Sequence, residues 1–473
     1  MSARYITTTI PYVNADAHIG HALEFVQADC VARTARFRGE EVFFNIGTDE
    51  HGIKVYTKAL EAGQAPQAYV DEFAMRWQVF ADALGISYDF FSRTTSAAHK
   101  AAAQEFWRRC DKAGDIYKAL YEIKYCVGCE LEKTDSELVN GHCPIHQNLT
   151  IEIRKEENYY FRLSRYGDAI LKLYKDSPNF LVPEEHKRAM TALINAGLKD
   201  FSISRIAAKM PWGIPVPGDD AHVMYVWFDA LVNYISAIGW PKNEKMFDTW
   251  WPVIQFAGKD QVRQQAVMWQ AMLLSVGLPF SRQIFIHGFI ISQGQKMSKS
   301  LGNVIDPITI IEKYGVDAVR YILLRHVSPA EDSDLTLEAI HDHYTAHLTN
   351  GLGNLVARVM KLAEEHLSRS IAVTREDEKI SEEFSEKIEA FKFNEAMDFI
   401  FTKIAEADVY MNTTEPYKKI KTDVEVAKKD IEHLVRELYR VAIHLVSIMP
   451  RTSDLIKKAV QENKKPENLF PRL

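Results

Sequence analysis

The sequence predicts an α/β protein followed by a helical bundle. Strand-like and helix-like segments alternate in its first two thirds, whereas only helical periodicity continues after Ile308. A β-rich segment at residues 5–10 precedes apolar residues at helical spacing up to Phe37, with Gly39 as the C-terminal cap. A strand at 41–46 completes a βαβ opening. The bundle is predicted from long amphipathic segments at 310–325, 336–368, 376–412 and 422–449.

Composition excludes several classes of protein. The chain has 473 residues, 47% of them hydrophobic and 26% charged, which is ordinary for a multidomain globular protein. It contains no apolar run of about 18 residues and no apolar segment after Met1, so we expect neither a membrane span nor a signal peptide. Five cysteines, three of them clustered, favour a reducing, cytoplasmic location and a metal site over disulfides. The net charge of −7 does not suggest a nucleic-acid-binding protein, although a large acidic enzyme can carry a local basic surface.

The turn between the first strand and the first helix is the first candidate site. His18, Gly20 and His21 lie where backbone N–H groups at a helix start favour an anion. Gly20 lets a flat ligand approach the backbone, and both imidazoles can donate to phosphate oxygens. A hydrogen-bonded turn or half of a metal site is the alternative for this stretch.

A glycine-flanked loop far downstream is the second candidate. Lys296-Met-Ser-Lys-Ser300 lies between Gly294 and Gly302, and its Lys296 and Lys299 side chains could close over a polyphosphate. A solvated basic loop is the alternative.

A cluster of cysteines predicts a metal site. Cys126-Val-Gly-Cys129 and Cys143-Pro-Ile-His146 form two facing turns that offer three thiolates and one imidazole. This donor set suits tetrahedral Zn²⁺, and four protein ligands leave no open position, so we expect a structural site.

Together, these stretches resemble the paired signatures of class I aminoacyl-tRNA synthetases. Gly47-Thr-Asp-Glu-His-Gly52, the zinc knuckle, Tyr225-Val-Trp-Phe-Asp229 and Gly258-Lys-Asp260 are similar to the methionyl-tRNA synthetase family. The resemblance implies a Rossmann-like nucleotide-binding core that is split by a zinc-knuckle insertion and followed by an α-helical bundle. The implied domains are the first half of the catalytic core (1–116), the connective insertion with the knuckle (117–212), the second half (213–335) and an anticodon-binding bundle (336–473).

The resemblance also implies residue roles. Catalytic roles fall on His18, His21, Lys296, Lys299 and Arg205. ATP, accompanied by Mg²⁺, would contact Gly20, Gly258, Asp260, Ile290 and Lys299. Methionine would contact Ile10, Asp49, Trp227, Tyr234 and Gln265. Gln264-Gln265 departs from the Phe-His that is usual in the family, so the amino-acid pocket is where this sequence is least typical.

The bundle carries a weaker signature. Asn412-Thr-Thr-Glu-Pro416-Tyr417 stands where the family has Asn-x-x-x-Pro-Trp, so Asn412 and Tyr417 are implied to contact the anticodon. The implied partners are ATP, L-methionine and tRNA(Met), without membrane or DNA. Two alternatives stay open: a synthetase for leucine, valine, isoleucine or cysteine, and a tRNA-binding module that has lost catalysis.

Overall fold

The computed structural model describes residues 3–129, 131–133, 137–292, 294–296 and 305–473. In chain order its strands are β1 (Ala3–Thr7), β2 (Glu41–Thr48), β3 (Phe90–Arg93), β4 (Ile116–Cys126), β5 (Leu131–Glu132), β6 (Glu152–Phe161), β7 (Leu181–Val182), β8 (Phe201–Ser202), β9 (Ser204–Ile206), β10 (Pro215–Val216), β11 (Asp219–Met224), β12 (Val253–Gly258), β13 (Gln283–His287), β14 (Ile290–Ser292), β15 (Gln295–Lys296) and β16 (Ser333–Asp334).

The α-helices are α1 (Ile19–Phe37), α2 (Ile53–Glu61), α3 (Pro66–Ala83), α4 (Ala97–Lys112), α5 (Gly167–Asp176), α6 (Glu184–Asn195), α7 (Val226–Leu231), α8 (Asn233–Ser236), α9 (Glu244–Trp250), α10 (Trp269–Ser275), α11 (Pro307–Tyr314), α12 (Val316–Arg325), α13 (Leu337–His343), α14 (Asn354–His366), α15 (Glu382–Glu389), α16 (Phe393–Thr414), α17 (Pro416–Lys419), α18 (Val424–Leu445) and α19 (Pro450–Glu462). The stretches Gln264–Met268 and Tyr344–Gly353 are π-helical.

A parallel sheet forms the centre of the part of the chain that precedes the bundle. Within the described residues its strand order is β3-β2-β1-β12-β13-β7, and every neighbouring pair is parallel. The chain runs outward from β1 on one side and from β12 on the other, so a topological switch point lies between these two strands. Ligands of open α/β sheets bind at the carboxyl ends of the strands beside such a point. The predicted Rossmann-like core is confirmed.

An antiparallel insertion separates the two halves of this sheet. Strands β4 and β6 pair over most of their length in a sheet of order β5-β4-β6-β8, and β10-β11-β9 form another small sheet. Both lie in the chain between β3 and β12, so the core is split as predicted. Strand β7 falls within the predicted insertion range 117–212, yet it pairs with β13 at the edge of the central sheet.

The helical bundle follows the core and packs against it. Helix α18 contacts α14, α16 and α19, and one cluster of buried apolar side chains includes both core residues such as Ile6 and bundle residues such as Phe470. The predicted helix at 376–412 is instead two helices, because Phe391 between α15 and α16 has a φ of +58°. Helix α19 lies beyond the predicted segments and begins at Pro450, where the ring's fixed φ suits a first helical turn.

Two ion pairs join the core to the bundle. Arg320 on α12 contacts Asp29 on α1 at 2.7 Å and donates to the carbonyl of Ile448 at 2.7 Å. Arg4 on β1 contacts Glu389 on α15 at 2.8 Å. Among the described residues, no helix has both the length and the apolar character needed to cross a membrane.

Candidate active site and zinc knuckle

A cavity of about 490 Å³ opens at the carboxyl ends of the central strands. The chain segments that follow β1, β2, β12 and β13 all contribute to its wall, as a site at the switch point requires. Eleven of the residues predicted to act in catalysis or to bind ATP or methionine line it: Ile10, His18, Gly20, His21, Asp49, Trp227, Tyr234, Gly258, Asp260, Gln265 and Ile290.

His18 and His21 build the start of α1. The Nδ1 atom of His18 accepts a hydrogen bond from the N–H of Gly20 at 3.1 Å, and Nδ1 of His21 accepts from the N–H of His18 at 3.2 Å. Since each Nδ1 is an acceptor, a neutral ring carries its proton on Nε2. Burial, together with the nearby His18 and His287 rings, holds the pKa of His21 well below its usual range. Both rings can therefore donate through Nε2, and the lowered pKa of His21 keeps that ring uncharged.

Packing holds these two rings in place. Their centroids lie 3.7 Å apart in a stacked arrangement, and the edge of Trp77 contacts His21 at a centroid distance of 4.8 Å. A Cβ atom on Gly20 would lie 3.0 Å from Cε1 of His18, so a side chain at this position would crowd the imidazole. The turn thus presents two oriented donors at a helix N-terminus, where an anion is favoured.

Polar groups on both sides of the switch point face the same cavity. Asp49 follows β2, and its backbone bonds to Pro11 and Val13 fix it beside the segment that follows β1. Asp260 follows β12, and a Cβ atom on Gly258 would lie 2.8 Å from its Oδ1. Carboxylate oxygens only accept hydrogen bonds, so both side chains suit donors. Asp49 is predicted to bind an amino group, and Asp260 is predicted to bind ribose hydroxyls.

A buried polar network surrounds Gln265, one of the two glutamines predicted to be unusual for the family. Gln255 on β12 donates from Nε2 to Oε1 of Gln265 at 2.8 Å. Hydrogen bonds from both glutamines also reach the side chain of Tyr234, whose pKa is raised by burial and by the charge of Glu24. Tyr234, Trp227 and Gln265 thus form a largely neutral wall.

One acid–imidazole pair in the cavity was not predicted. His287, the last residue of β13, contacts Oε2 of Glu24 on α1 at 2.9 Å, while Oε1 of Glu24 accepts from the N–H and hydroxyl of Thr9. Burial alone would lower the pKa of His287, but the bond to Glu24 and its charge raise it. This pair ties α1 to the ends of β1 and β13.

The other predicted catalytic residues are placed differently. Arg205 on β9 is buried with its guanidinium 3.9 Å from the Tyr225 ring centroid, and it donates to Ser202 and to the carbonyl of Ser204. Within the described residues it is not among those that line the cavity. The backbone of Lys296 pairs with Ile291, directly after the cavity residue Ile290. Lys299 lies outside the described residues.

The four predicted metal ligands converge. The ligand atoms of Cys126, Cys129, Cys143 and His146 lie within 4.8 Å of one another. The individual separations include 3.4 Å between the sulfurs of Cys129 and Cys143, and 3.3 and 3.9 Å from Nδ1 of His146 to Cys129 and Cys126. Tetrahedral zinc with ordinary bond lengths places its ligand atoms roughly 3.5–3.8 Å apart. The donor set and its spacing therefore fit Zn²⁺.

The knuckle also approaches the cavity. Lys54 donates to the carbonyl of Gly128 at 2.8 Å, and both Lys54 and Cys129 line the cavity wall. Only glycine fits at position 128, because a Cβ atom there would lie 2.3 Å from Cγ of His146.

The predicted anticodon residues lie at the end of α16. Asn412 accepts from Arg358 at 3.1 Å and donates to Asp408. Glu415 then adopts a φ of +47°, Pro416 begins α17, and Tyr417 is 37% exposed.

Comparisons with known proteins agree with this architecture. A family model described as tRNA synthetases class I (M) matches residues 4–150 and 136–360. A methionine–tRNA ligase of Thermotoga maritima is 37% identical over 98% of this chain and 76% of its own length. That of Thermosynechococcus vestitus is 39% identical over 95% of this chain and 88% of its own. A methionyl-tRNA synthetase of Mycobacterium tuberculosis in complex with methionyl-adenylate matches with a TM-score of 0.90 at 36% identity, covering 96% of this chain and 93% of that one.

The split parallel sheet, the histidine turn at its switch point and the matching family model define a class I tRNA synthetase. Within that class, the relatives that match nearly the whole chain are methionine–tRNA ligases. The chain therefore belongs to the methionyl-tRNA synthetase family.

Proposed function

We propose that this chain ligates L-methionine to tRNA(Met) with ATP, through a methionyl-adenylate intermediate. The observation that carries the proposal is the convergence in one cavity of a neutral anion-binding turn, two carboxylates and an aromatic pocket. These are the groups that bring a nucleoside triphosphate and an amino acid together, and positioning supplies much of the acceleration in such a reaction.

In the first step, the methionine carboxylate attacks the α-phosphorus of ATP and pyrophosphate leaves. His18 and His21 donate their Nε2 protons to triphosphate oxygens, Asp260 accepts from the ribose, and the backbones at Gly258 and Ile290 flank the nucleoside. Lys296 and Lys299 neutralise charge that develops on the leaving pyrophosphate. Mg²⁺ enters with ATP and spreads the same charge.

Methionine is held at both of its ends. Asp49 accepts hydrogen bonds from the α-amino group, while Ile10, Trp227, Tyr234 and Gln265 surround the thioether. Arg205 supports this wall indirectly, because it stacks on Tyr225, two residues before Trp227.

In the second step, a hydroxyl of the terminal tRNA ribose attacks the adenylate. Cys126, Cys129, Cys143 and His146 hold a structural Zn²⁺ that shapes the insertion (117–212) beside the cavity. At the far end of the chain, Asn412 and Tyr417 contact the anticodon, with Tyr417 stacking on a base. The proposal places the enzyme in the cytoplasm and keeps the catalytic halves at 1–116 and 213–335, with the bundle at 336–473.

ATP–pyrophosphate exchange measured separately with methionine, leucine, isoleucine, valine and cysteine tests the proposal. We expect methionine to give the highest kcat/KM. We expect Lys299→Ala to slow exchange. The activation free energy should rise by about 3–4 kcal/mol, the loss typical of a transition-state contact. The matched control, Lys361→Ala on α14, should retain full exchange. Preference for another amino acid would overturn the specificity, and no exchange with any of them would indicate a non-catalytic tRNA-binding module.

A further inference from the structure

Three histidines meet where α12 gives way to the bundle. His326 caps the C-terminus of α12, His343 ends α13, and His347 lies one turn further in the π-helical stretch. Their rings form a stack, with His326 and His343 at a centroid distance of 3.6 Å and His326 and His347 at 5.3 Å. One nitrogen from each ring lies within 4.8 Å of the other two, and all three residues are partly buried.

A tyrosine hydroxyl orients two of these rings. The Tyr321 oxygen lies 2.9 Å from Nε2 of His326 and 2.7 Å from Nδ1 of His347. Arg325 also donates to this oxygen, at 3.1 Å. These contacts hold one nitrogen of His326 and one of His347, and because the hydroxyl has a single proton it donates to one of these rings and accepts from the other. Histidines that bind metals are commonly held in this way, through the nitrogen that does not ligate.

The charged groups beside the cluster pair with each other. Asp398 contacts Nε of Arg325 at 3.1 Å, so the candidate ligands of the cluster are its three imidazoles.

We propose that His326, His343 and His347 bind a divalent transition-metal ion, separate from the zinc knuckle. Three imidazoles select Zn²⁺, Cu²⁺ or Ni²⁺ over Mg²⁺ and Ca²⁺, which prefer oxygen ligands. Binding requires the stacked rings to tilt so that their lone pairs converge, and water fills the remaining position. The bound ion cross-links the end of α12 to the start of the bundle, independently of the reaction proposed above.

Metal content of the untagged 473-residue chain tests this site. After equilibrium dialysis against micromolar Zn²⁺, we expect the wild-type chain to hold one ion more than the variant His343→Gln/His347→Gln. The control His366→Gln, a partly exposed histidine on α14, should match the wild type. Tyr321→Phe should keep all three ligands but bind the extra ion about 10–100-fold more weakly. Equal metal content in the wild type and the double variant would overturn the proposal.

A second measurement does not depend on how the His343 and His347 variants fold. With the knuckle filled by Zn²⁺, one equivalent of Cu²⁺ added to the wild-type chain should give an electron paramagnetic resonance spectrum with hyperfine coupling to several imidazole nitrogens. His18 and His21 form another histidine pair, so the spectrum is also recorded for the variant His18→Gln/His21→Gln. A signal that this variant lacks, or a signal without imidazole nitrogen coupling, would refute the site.

Discussion

At the scale of single residues, the proposed methionine pocket contains a glutamine pair. The side chains of Gln255 and Gln265 bond to each other and to Tyr234, in a region where buried polar groups must be paired. Glutamine supplies both a donor and an acceptor, so it can hold the tyrosine hydroxyl as a histidine could, but it does not titrate near neutrality.

Removing this glutamine tests its role in methionine binding. We expect Gln265→Ala to raise KM for methionine and to leave KM for ATP nearly unchanged. The weakening of methionine binding should correspond to about 1–3 kcal/mol, because the substitution leaves buried hydrogen-bond partners unsatisfied. Gln265→His should be tolerated. The matched control is Gln264→Met, since the Oε1 atom of Gln264 has no hydrogen-bond partner among the described residues. A larger effect on ATP than on methionine would contradict this role.

The sequence predicted the site residues that directly follow a buried strand, because that position places a residue at the ligand-binding edge of a parallel sheet. Asp49 and Asp260 each follow a buried strand, so their meeting at one sheet edge could be anticipated. Glu24 and His287 could not be paired in the same way, because 263 residues separate them and each alone suits a core helix or strand. Lys299 stays a prediction, since it lies outside the described residues.

At the scale of elements, the predicted helix boundaries that agree with the structure are those marked by a glycine or a proline. The end of α1 is marked by Gly39, which has a φ of +82°, and the end of α16 by the proline at 416. The break at Phe391 has no glycine or proline to signal it, so periodicity alone joined α15 to α16. Strand β3 was missed for a related reason, because four residues are too few to show alternation.

The break between α16 and α17 makes a prediction about tRNA binding. Tyr417→Ala should raise KM for tRNA and leave ATP–pyrophosphate exchange unchanged. The loss of tRNA-binding free energy should be about 1–3 kcal/mol, the contribution of one stacked base. Tyr417→Trp should restore the wild-type KM. The control Val409→Ala removes another exposed apolar side chain, on the preceding helix α16, and should have little effect. If exchange falls together with tRNA affinity, Tyr417 is a structural residue.

At the scale of the whole molecule, one buried ion pair fastens the bundle to the nucleotide-binding core. Both side chains of Arg320 and Asp29 are 0% exposed. Arg320 also donates to the backbone between α18 and α19, and Asp29 accepts from Ser87 and Arg33. Burial alone would raise the pKa of Asp29, but the charge of Arg320 and its other partners lower it.

Breaking this pair should destabilise the whole chain. We expect Arg320→Met to lower the free energy of unfolding by about 3–5 kcal/mol, because it leaves a buried carboxylate uncompensated. The double variant Arg320→Met/Asp29→Leu should recover part of the loss, and Arg369→Met, at an exposed arginine, should behave as the wild type. Urea unfolding followed by circular dichroism measures the free energy of unfolding of each variant. An unchanged midpoint for Arg320→Met would rule out this role.

The same pair predicts how stability depends on pH. Since the folded pKa of Asp29 lies below its unfolded value of about 3.9, its contribution is complete above that value and is lost as the pH falls through the folded pKa. Unfolding in urea at several pH values should show a smaller acid-induced loss of stability in the double variant than in the wild type.

Helix α1 begins at the histidines that face the cavity and carries Asp29 further along. Eight residues separate His21 from Asp29, a rise of about 12 Å along one continuous helix. Helix α1 is therefore a rigid connection between the site where phosphate chemistry is proposed and the buried ion pair that contacts the bundle. A shift of the bundle on its anchor would therefore be carried as a rigid displacement to the histidine donors, without a loop between them to absorb it.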